Sequence, residues 1–249
     1  MWPLTGKNKT KMAATVAKNE NVAHPNGHTF YLAMTGGGKS TALKANPDIP
    51  KRGGRALIYD PDIDHWALHT HTIADFLRHV RAAIRTGKPY RIAYTGRQDD
   101  QKQTVENFER FCKIVWAVLD GTPGREVDVI IEELADVSPG AGRATAEFGR
   151  LLRRSRKYGC RLHMTSQRPQ EIAKTALSQA GKLFVGQQQT SADRKHLASM
   201  IDVSETDLGT LQPLEFFVKS GAAPAQRIDF KKIVQPIKVA HEKTAMPTD

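Results

Sequence analysis

Short apolar runs alternate with longer segments of helical periodicity along most of the chain. We predict strands at residues 29–34, 55–60, 90–95, 127–132, 161–166, 182–187 and 214–219, and helices at residues 39–45, 73–86, 101–120, 143–157, 170–179 and 190–200. This alternation is typical of an α/β protein with a mainly parallel central sheet flanked by helices. Each connection is long enough for a right-handed crossover between parallel strands.

The two ends of the chain do not share this pattern. Residues 1–27 are polar and basic and show no period, so we predict a loose basic N-terminal arm. The tail 233–249 contains Pro236 and Pro247 and is interpreted as a C-terminal extension. The 249-residue length and the 39% share of hydrophobic residues suit one globular domain, at residues 28–232.

The net charge of the chain indicates which class of partner it binds. There are 37 Lys and Arg residues against 26 Asp and Glu residues, which gives a net charge of +11. A field of this sign attracts polyanions, with nucleic acid as the first candidate and an anionic membrane surface as the second. No apolar run approaches the roughly 20 residues that span a bilayer, and no signal peptide is visible, so a cytosolic protein is expected. Cys112 and Cys160 are interpreted as buried thiols.

The first predicted strand leads into a candidate phosphate-binding loop, "YLAMTGGGKSTALKA". A strand, a glycine-rich turn and a helix start place successive backbone N–H groups around one anion, whereas a glycine-rich turn with a chance Lys-Ser is the alternative. Ala33 stands where the usual pattern begins with Gly, at a strand end that needs a small residue. Lys39 would reach the β and γ phosphates of ATP, and the Ser40 hydroxyl would bind Mg²⁺. The predicted nucleotide-binding residues are Thr35, Gly36, Gly37, Gly38, Lys39, Ser40 and Thr41.

A phosphate loop requires an acidic residue at the end of a neighbouring buried strand. The sequence "VDVIIEEL" supplies Glu132 and Glu133 after an apolar run. We expect Glu132 to act on Mg²⁺ through water and Glu133 to polarise the attacking water. Asp128 lies near the start of the strand and is a poor substitute. An exposed Glu-Glu pair at a strand end is the alternative when the pair is considered alone.

Three motifs together carry a family resemblance. The combination of "MTGGGKST", "VIIEEL" and "RKYGCRLHMTSQRP" resembles the FtsK–HerA group of DNA-pumping ATPases over residues 28–220, and Asp60-Pro61 resembles the end of the second strand in HerA-like members. The resemblance implies a RecA-like (ASCE) P-loop NTPase fold that uses ATP and Mg²⁺. It also implies that Gln167 reads the γ-phosphate and that Arg156 acts in trans on a neighbouring subunit, with Lys39 and Glu133 as further catalytic residues.

Because no membrane span, barrel or winged helix is visible, the chain resembles the small genome-packaging ATPases of tailless, internal-membrane phages of the tectivirus type. This implies a homo-oligomeric ring in the host cell cytoplasm that pumps double-stranded DNA into a preformed capsid, and it leaves open an association with a capsid-vertex or portal protein. Two alternatives remain: a HerA-like or conjugation-related DNA translocase, and a nucleotide-switched assembly protein that does not pump.

A positively charged ring would grip DNA through its phosphates without reading the sequence. Arg97 and Lys102 lie in the loop at residues 96–102 and are candidates for such contacts, although an ordinary exposed loop is the simpler interpretation.

Several conspicuous side chains receive structural interpretations. His65, His69 and His71 lack a further ligand at a useful spacing and are interpreted as packing residues rather than a metal site. Trp66 and Trp116 are assigned to the core or to a helix face rather than to a base-stacking role.

Overall fold

The computed structural model describes residues 18–96, 99–138 and 140–233. The strands are β1 (Thr29–Leu32), β2 (Arg55–Tyr59), β3 (Leu68–Thr70), β4 (Tyr90–Tyr94), β5 (Val127–Ile131), β6 (Cys160–Ser166), β7 (Lys182–Val185), β8 (Glu215–Ser220) and β9 (Gln226–Asp229). The α-helices are α1 (Lys39–Ala45), α2 (Ile73–Thr86), α3 (Gln101–Val118), α4 (Ala146–Arg154), α5 (Lys174–Ser178), α6 (Ser191–Ile201) and α7 (Glu205–Gly209). Short 3₁₀ turns follow β5, α4 and β6.

The nine described strands form one sheet in the order β3-β4-β2-β5-β6-β1-β7-β8-β9. The pairings from β3 to β7 are all parallel, and β8 and β9 extend the sheet as antiparallel strands. The predicted α/β fold with a mainly parallel sheet is therefore confirmed. In a parallel sheet the carboxyl ends of β1, β2, β5 and β6 lie at one edge, which is where ligands bind in open α/β folds.

The two faces of the sheet are covered very differently. One apolar cluster joins the sheet to the buried sides of helices α2 to α7, with Phe108 and Phe111 of α3 fully buried at its centre. On the opposite face the described residues supply helix α1, together with Ile49 and with Phe230 from the short helical stretch at residues 230–233. The sheet residues of this second cluster range from Ala56 to Tyr31 and Phe184, and fewer helices cover this face than the other, so its cover is thin.

Local sequence explains why the elements form where they do. All five residues of β5 are buried, as expected for a central parallel strand covered on both faces. Helix α2 begins after Thr72, whose hydroxyl accepts a hydrogen bond from the Asp75 amide, and it ends at Gly87 in the left-handed region. No helix of the described residues is both long enough and apolar enough to cross a bilayer.

The amino-terminal edge of the sheet is held by a buried ion cluster. Asp128 accepts two hydrogen bonds from the Arg161 guanidinium, each 2.7 Å long, and lies 3.0 Å from His163 Nε2. Burial opposes ionisation of this carboxyl, but the hydrogen bonds from His163 and Arg161 outweigh it and lower the pKa of Asp128. Asp128 is therefore a structural residue far from the carboxyl ends of the strands.

Residues 18–27 differ from the predicted loose arm, because they are bonded to the same amino-terminal edge. The Asn19 amide donates to the Asp120 carbonyl, the Asn21 amide donates to the Lys157 carbonyl, and the Lys18 ammonium lies 4.9 Å from the centroid of the Trp116 ring. Backbone pairing and a cation–π contact give these residues a fixed path despite their polar composition. The rest of the predicted arm and the tail 234–249 lie outside the described residues.

Two aromatic predictions have opposite outcomes. Trp116 is 8% exposed and packs in the core, as expected. The packing assignment of Trp66 is wrong, since this side chain is 81% exposed. The buried thiols are confirmed at Cys112 and Cys160.

Candidate nucleotide site

The loop between β1 and α1 has the backbone that the glycine-rich motif requires. Gly36 and Gly38 have φ values of 76° and 97°, in the left-handed region that L side chains rarely adopt. A Cβ on Gly38 would also lie 2.5 Å from Leu214 Cδ2. Thr35 is exposed at the start of this turn, and Ser40 and Thr41 lie in the first turn of α1. The chain therefore holds the whole predicted phosphate loop at the carboxyl edge of the sheet.

Ala33 occupies the position where the usual motif has Gly. It is fully buried, and a Cβ on Gly37 or on Gly186 would lie 2.9 or 3.0 Å from its own Cβ. Ala33 is not among the residues with positive φ. The position therefore requires a small side chain rather than the conformational freedom of glycine.

Lys39 and Glu133 face each other across the site. Lys39 is 7% exposed, and its ammonium lies 3.5 Å from Glu133 Oε1 and 3.4 Å from the Met34 carbonyl oxygen. Burial raises the pKa of Glu133, although the charge of Lys39 opposes this shift. Glu133 Oε2 is buried and has no hydrogen-bond partner among the described residues. A buried carboxylate oxygen without a partner is costly, so this atom lacks the hydrogen bond that a water molecule or other polar ligand would supply.

Glu132 lies deeper than Glu133 and is held from two sides. Its Oε1 lies 2.7 Å from His65 Nε2, and its Oε2 accepts a 2.5 Å hydrogen bond from the Thr165 hydroxyl. The same hydroxyl accepts a 3.0 Å hydrogen bond from the Glu133 amide. Glu133 itself has a φ of 46°, which is uncommon for a residue other than glycine. Thr165 thus fixes the orientation of Glu132 and the backbone of Glu133 together.

Gln167 follows β6 and reaches the phosphate loop. Its side-chain oxygen accepts a hydrogen bond from the Thr35 hydroxyl, which joins the ends of β6 and β1. The structure therefore brings Gln167, Thr35, Lys39 and Glu133 to one edge of the sheet, as the sequence predicted.

Arg156 is not brought to this edge. It lies in the 3₁₀ turn before β6, at the amino-terminal edge of the sheet, and its guanidinium donates to the carbonyl oxygens of Val22 and His24. Its action on a nucleotide would have to be on another subunit, and this role stays a prediction. Of the two candidate DNA-contact residues, Lys102 is exposed in the first turn of α3, and Arg97 lies outside the described residues.

The sequence interpretation missed His65 and Thr165 as parts of the site. The available signal was Asp60, which directly follows β2, is fully buried and accepts hydrogen bonds from the amides of Asp64 and His65. His69 Nε2 lies 3.0 Å from the same carboxylate. The hydrogen bonds to Asp60 hold the following segment close to β5, so that the His65 side chain contacts Glu132.

The residues present suit a magnesium nucleotide. The positive-φ glycines leave the backbone of the loop open to phosphate oxygens, Lys39 supplies a buried cation, and Glu133 beside it has one carboxylate oxygen without a partner among the described residues. Ser40 and Glu132 are the residues predicted to hold Mg²⁺, directly and through water. His65 and Thr165 each contact one of the two carboxylate oxygens of Glu132. The water-mediated contact of Glu132 with Mg²⁺ would therefore use the remaining lone pairs of these oxygens.

Comparison with known proteins places this arrangement in a family. The chain is 32% identical over 212 residues to protein P9 of Pseudoalteromonas phage PM2, covering 82% of this chain and 90% of that protein. No family model matches.

Solved structures share the fold at low sequence identity. The genome packaging NTPase B204 of Sulfolobus turreted icosahedral virus 2, in complex with AMPPCP, superposes with a TM-score of 0.59 at 14% identity, over 80% of this chain and 95% of that chain. The bacterial conjugative coupling protein TrwB superposes with a TM-score of 0.55 at 13% identity, over 88% and 89% of the two chains. The chain belongs to the family of protein P9 of Pseudoalteromonas phage PM2.

Proposed function

We propose that the chain is an ATP-hydrolysing DNA translocase that packages a viral double-stranded DNA genome into a preformed capsid. The observation that carries the ATPase part is the pairing of buried Lys39 with Glu133, whose second carboxylate oxygen is unpartnered at the mouth of the phosphate loop. The packaging part is supported by the phage relative and by the fold shared with a viral packaging NTPase. The conjugative coupling protein shares the fold as well, so conjugation-related transfer is the alternative that the experiments must separate.

Each residue of the site has a chemical role in this proposal. Bound MgATP supplies the phosphoanhydride bond that is broken and the divalent charge beside it. Gly36 and Gly38 would donate backbone N–H groups to the phosphates, whereas the Gly37 amide closes the turn by donating to the Met34 carbonyl at 3.0 Å, with Thr35 and Thr41 at either side of the turn. Lys39 neutralises charge on the β and γ phosphates, and the Ser40 hydroxyl faces the metal.

Glu133 is suited to orient and deprotonate the attacking water. A carboxylate whose pKa is raised by burial accepts a proton more readily than an exposed one, and the charge of the nearby Lys39 opposes this rise. Gln167 would report the γ-phosphate, and its hydrogen bond with Thr35 of the phosphate loop supports this role.

The DNA would pass through a homo-oligomeric ring. A net charge of +11 on each subunit provides sequence-independent attraction for DNA phosphates. Arg156 at the amino-terminal edge would stabilise the transferred phosphoryl group of a neighbour, an effect worth about 10³- to 10⁵-fold in rate where it operates. A capsid-vertex or portal protein completes the proposed assembly in the host cell.

ATP hydrolysis by the purified chain, with and without duplex DNA, tests the catalytic assignment. We expect duplex DNA to stimulate hydrolysis and Glu133→Gln to lower kcat by at least 100-fold while nucleotide still binds. Glu106→Gln is the matched control, because Glu106 is an exposed glutamate on α3. Unchanged turnover in the Glu133 variant would remove the catalytic role, and DNA-stimulated hydrolysis with no movement in a tethered-DNA assay would favour a nucleotide-switched assembly protein.

Mixing two inactive variants tests the in-trans arginine. In a ring, Lys39→Ala and Arg156→Ala subunits form some interfaces that carry an intact loop on one side and an intact arginine on the other. Such mixtures should recover part of the activity that each variant lacks alone. If no mixture recovers activity, Arg156 serves only to hold residues 22 and 24 at the amino-terminal edge.

Packaging and conjugation are separated by their protein partners. Co-assembly with empty viral capsids, followed by protection of DNA from nuclease on addition of ATP, supports packaging. Protection without the capsid protein, or stimulation by a relaxase–DNA complex instead, supports transfer.

A further inference from the structure

An exposed aromatic side chain lies on the thinly covered face of the sheet. Trp66 is 81% exposed, and Leu68, at the start of edge strand β3, is 49% exposed. Single exposed apolar side chains are common on proteins, so the case for a contact site rests on the clefts and cations that surround Trp66. We refer to Trp66, Leu68, Lys51, Arg52 and Arg91 as the Trp66 surface.

Trp66 separates two open clefts. One, of about 460 Å³, is lined by Lys51, Arg52, Trp66, Leu68 and Arg91, among others. The other, of about 400 Å³, shares Lys51, Trp66 and Arg91 and extends toward Lys44 on α1. A flat indole with a groove on each side is a shape onto which a planar group can stack while the connecting chain follows the grooves.

The clefts are strongly basic. Their linings contain Lys44, Lys51, Arg52 and Arg91, against the single acidic residue Asp64. None of these four cations forms an ion pair with another residue in the described part of the chain. The surface thus presents unneutralised positive charge to a partner.

The Trp66 surface is also preformed before any partner binds. Arg91 Nε donates to the Trp66 carbonyl at 3.1 Å, and Arg91 Nη1 donates to the Pro50 carbonyl at the same distance. One half-buried guanidinium therefore fixes both the segment that carries Trp66 and the segment that carries Lys51 and Arg52. A preformed aromatic and basic surface loses less conformational entropy on binding.

We propose that the Trp66 surface binds single-stranded nucleic acid, with a base stacked on Trp66 and phosphates held by Lys51, Arg52 and Lys44. Duplex DNA keeps the faces of its bases inside the stack, so it could use the cations but not the indole. An acidic peptide would match the charge but gains less from a projecting flat ring. This activity goes beyond the translocation of duplex DNA and requires no nucleotide.

Fluorescence anisotropy with a labelled oligothymidylate tests the proposal, on the full chain without ATP. Trp66→Ala should weaken binding by about 5- to 150-fold, the range expected for loss of one base–aromatic stack, and Trp66→Phe should retain most of the affinity. Lys51→Gln with Arg52→Gln should reduce the slope of log affinity against log salt by roughly 1.4, for two lost phosphate contacts. Arg81→Gln with Arg85→Gln removes the same charge from exposed positions on α2 and should leave that slope unchanged.

Three results would overturn the proposal. These are equal affinity of Trp66→Ala and the unchanged protein, an equal loss with blunt duplex of the same length, and tighter Trp66-dependent binding of polyglutamate than of oligothymidylate. The last would identify a protein partner instead. Since the assay contains no ATP, its failure is distinct from failure of the ATPase proposal, which the Glu133→Gln measurement decides.

Discussion

Replacing Thr165 with Val tests how the two glutamates are held. Thr165 is fully buried in β6, and its hydroxyl donates to Glu132 at 2.5 Å while it accepts from the Glu133 amide at 3.0 Å. Val has nearly the same shape and an equal preference for strands, so the strand itself should be unaffected. The change therefore removes two hydrogen bonds and leaves the chain path intact.

The expected cost follows from these two contacts. A hydrogen bond to a charged carboxylate contributes about 1.5 to 3 kcal/mol, and a buried amide left without a partner costs about 1 kcal/mol. The extra methyl group of Val offsets about 0.8 kcal/mol. The free energy of unfolding should fall by roughly 2 to 3 kcal/mol, which corresponds to a decrease in Tm of roughly 4 to 12 °C for a domain of this size.

Urea unfolding followed by tryptophan fluorescence measures this loss, with Thr165→Ser as the matched control. Ser keeps the hydroxyl and loses only a methyl group, so it should cost about 0.8 kcal/mol. We also expect kcat for ATP to fall at least tenfold in Thr165→Val and much less in Thr165→Ser, because Glu133 loses the bond that fixes its backbone. Equal urea midpoints for the two variants would show that the hydroxyl does not hold the glutamates.

Three further variants separate binding, stability and positioning. Gly38→Ala should abolish binding of a fluorescent ATP analogue, because its φ is 97° and a Cβ would meet Leu214, whereas Gly142→Ala, with open space around it, should bind normally. Asp128→Asn should lower the free energy of unfolding by about 3 kcal/mol without changing kcat of the folded enzyme. Since hydrogen bonds lower the pKa of Asp128, its contribution is present above about pH 4 and lost as the pH falls further, so urea midpoints of this variant should depend less on acid than those of the unchanged protein. His65→Phe should lower kcat with little change in KM for ATP, and His65→Gln, which keeps a donor, should recover part of the rate; equal rates for both would exclude a positioning role.

The long buried elements were predictable from sequence, and the short or polar ones were not. The apolar run of β5 and the glycine-rich turn after β1 each carry a strong local pattern, so their positions agree with the structure. Strand β3 has only three residues, and β9 reads "QRID", so neither has the apolar alternation that identifies a strand. These two strands form because β4 and β8 offer unpaired edges, which is a tertiary effect.

The same distinction holds for the site. The positions of the phosphate loop, of Glu132 and Glu133, and of Gln167 could be predicted because each of them follows a recognisable strand. The bond between His65 and Glu132 joins residues 67 positions apart through an irregular segment, and no local pattern records it. Trp66 was misassigned because its neighbours are apolar, yet only the fold determines which of them turn inward.

The segment after β2 connects the nucleotide site with the Trp66 surface. Asp60 binds the amides of Asp64 and His65 at 2.9 and 3.0 Å, and this tight turn sends consecutive side chains in opposite directions. His65 is 5% exposed against Glu132, whereas Trp66 is 81% exposed. Because the two share one peptide bond, the backbone that carries the indole is also the backbone that orients the carboxylate. The irregular segment between β2 and β3, which the sequence pattern did not assign to any element, is therefore the shortest covalent path between the nucleotide site and the Trp66 surface.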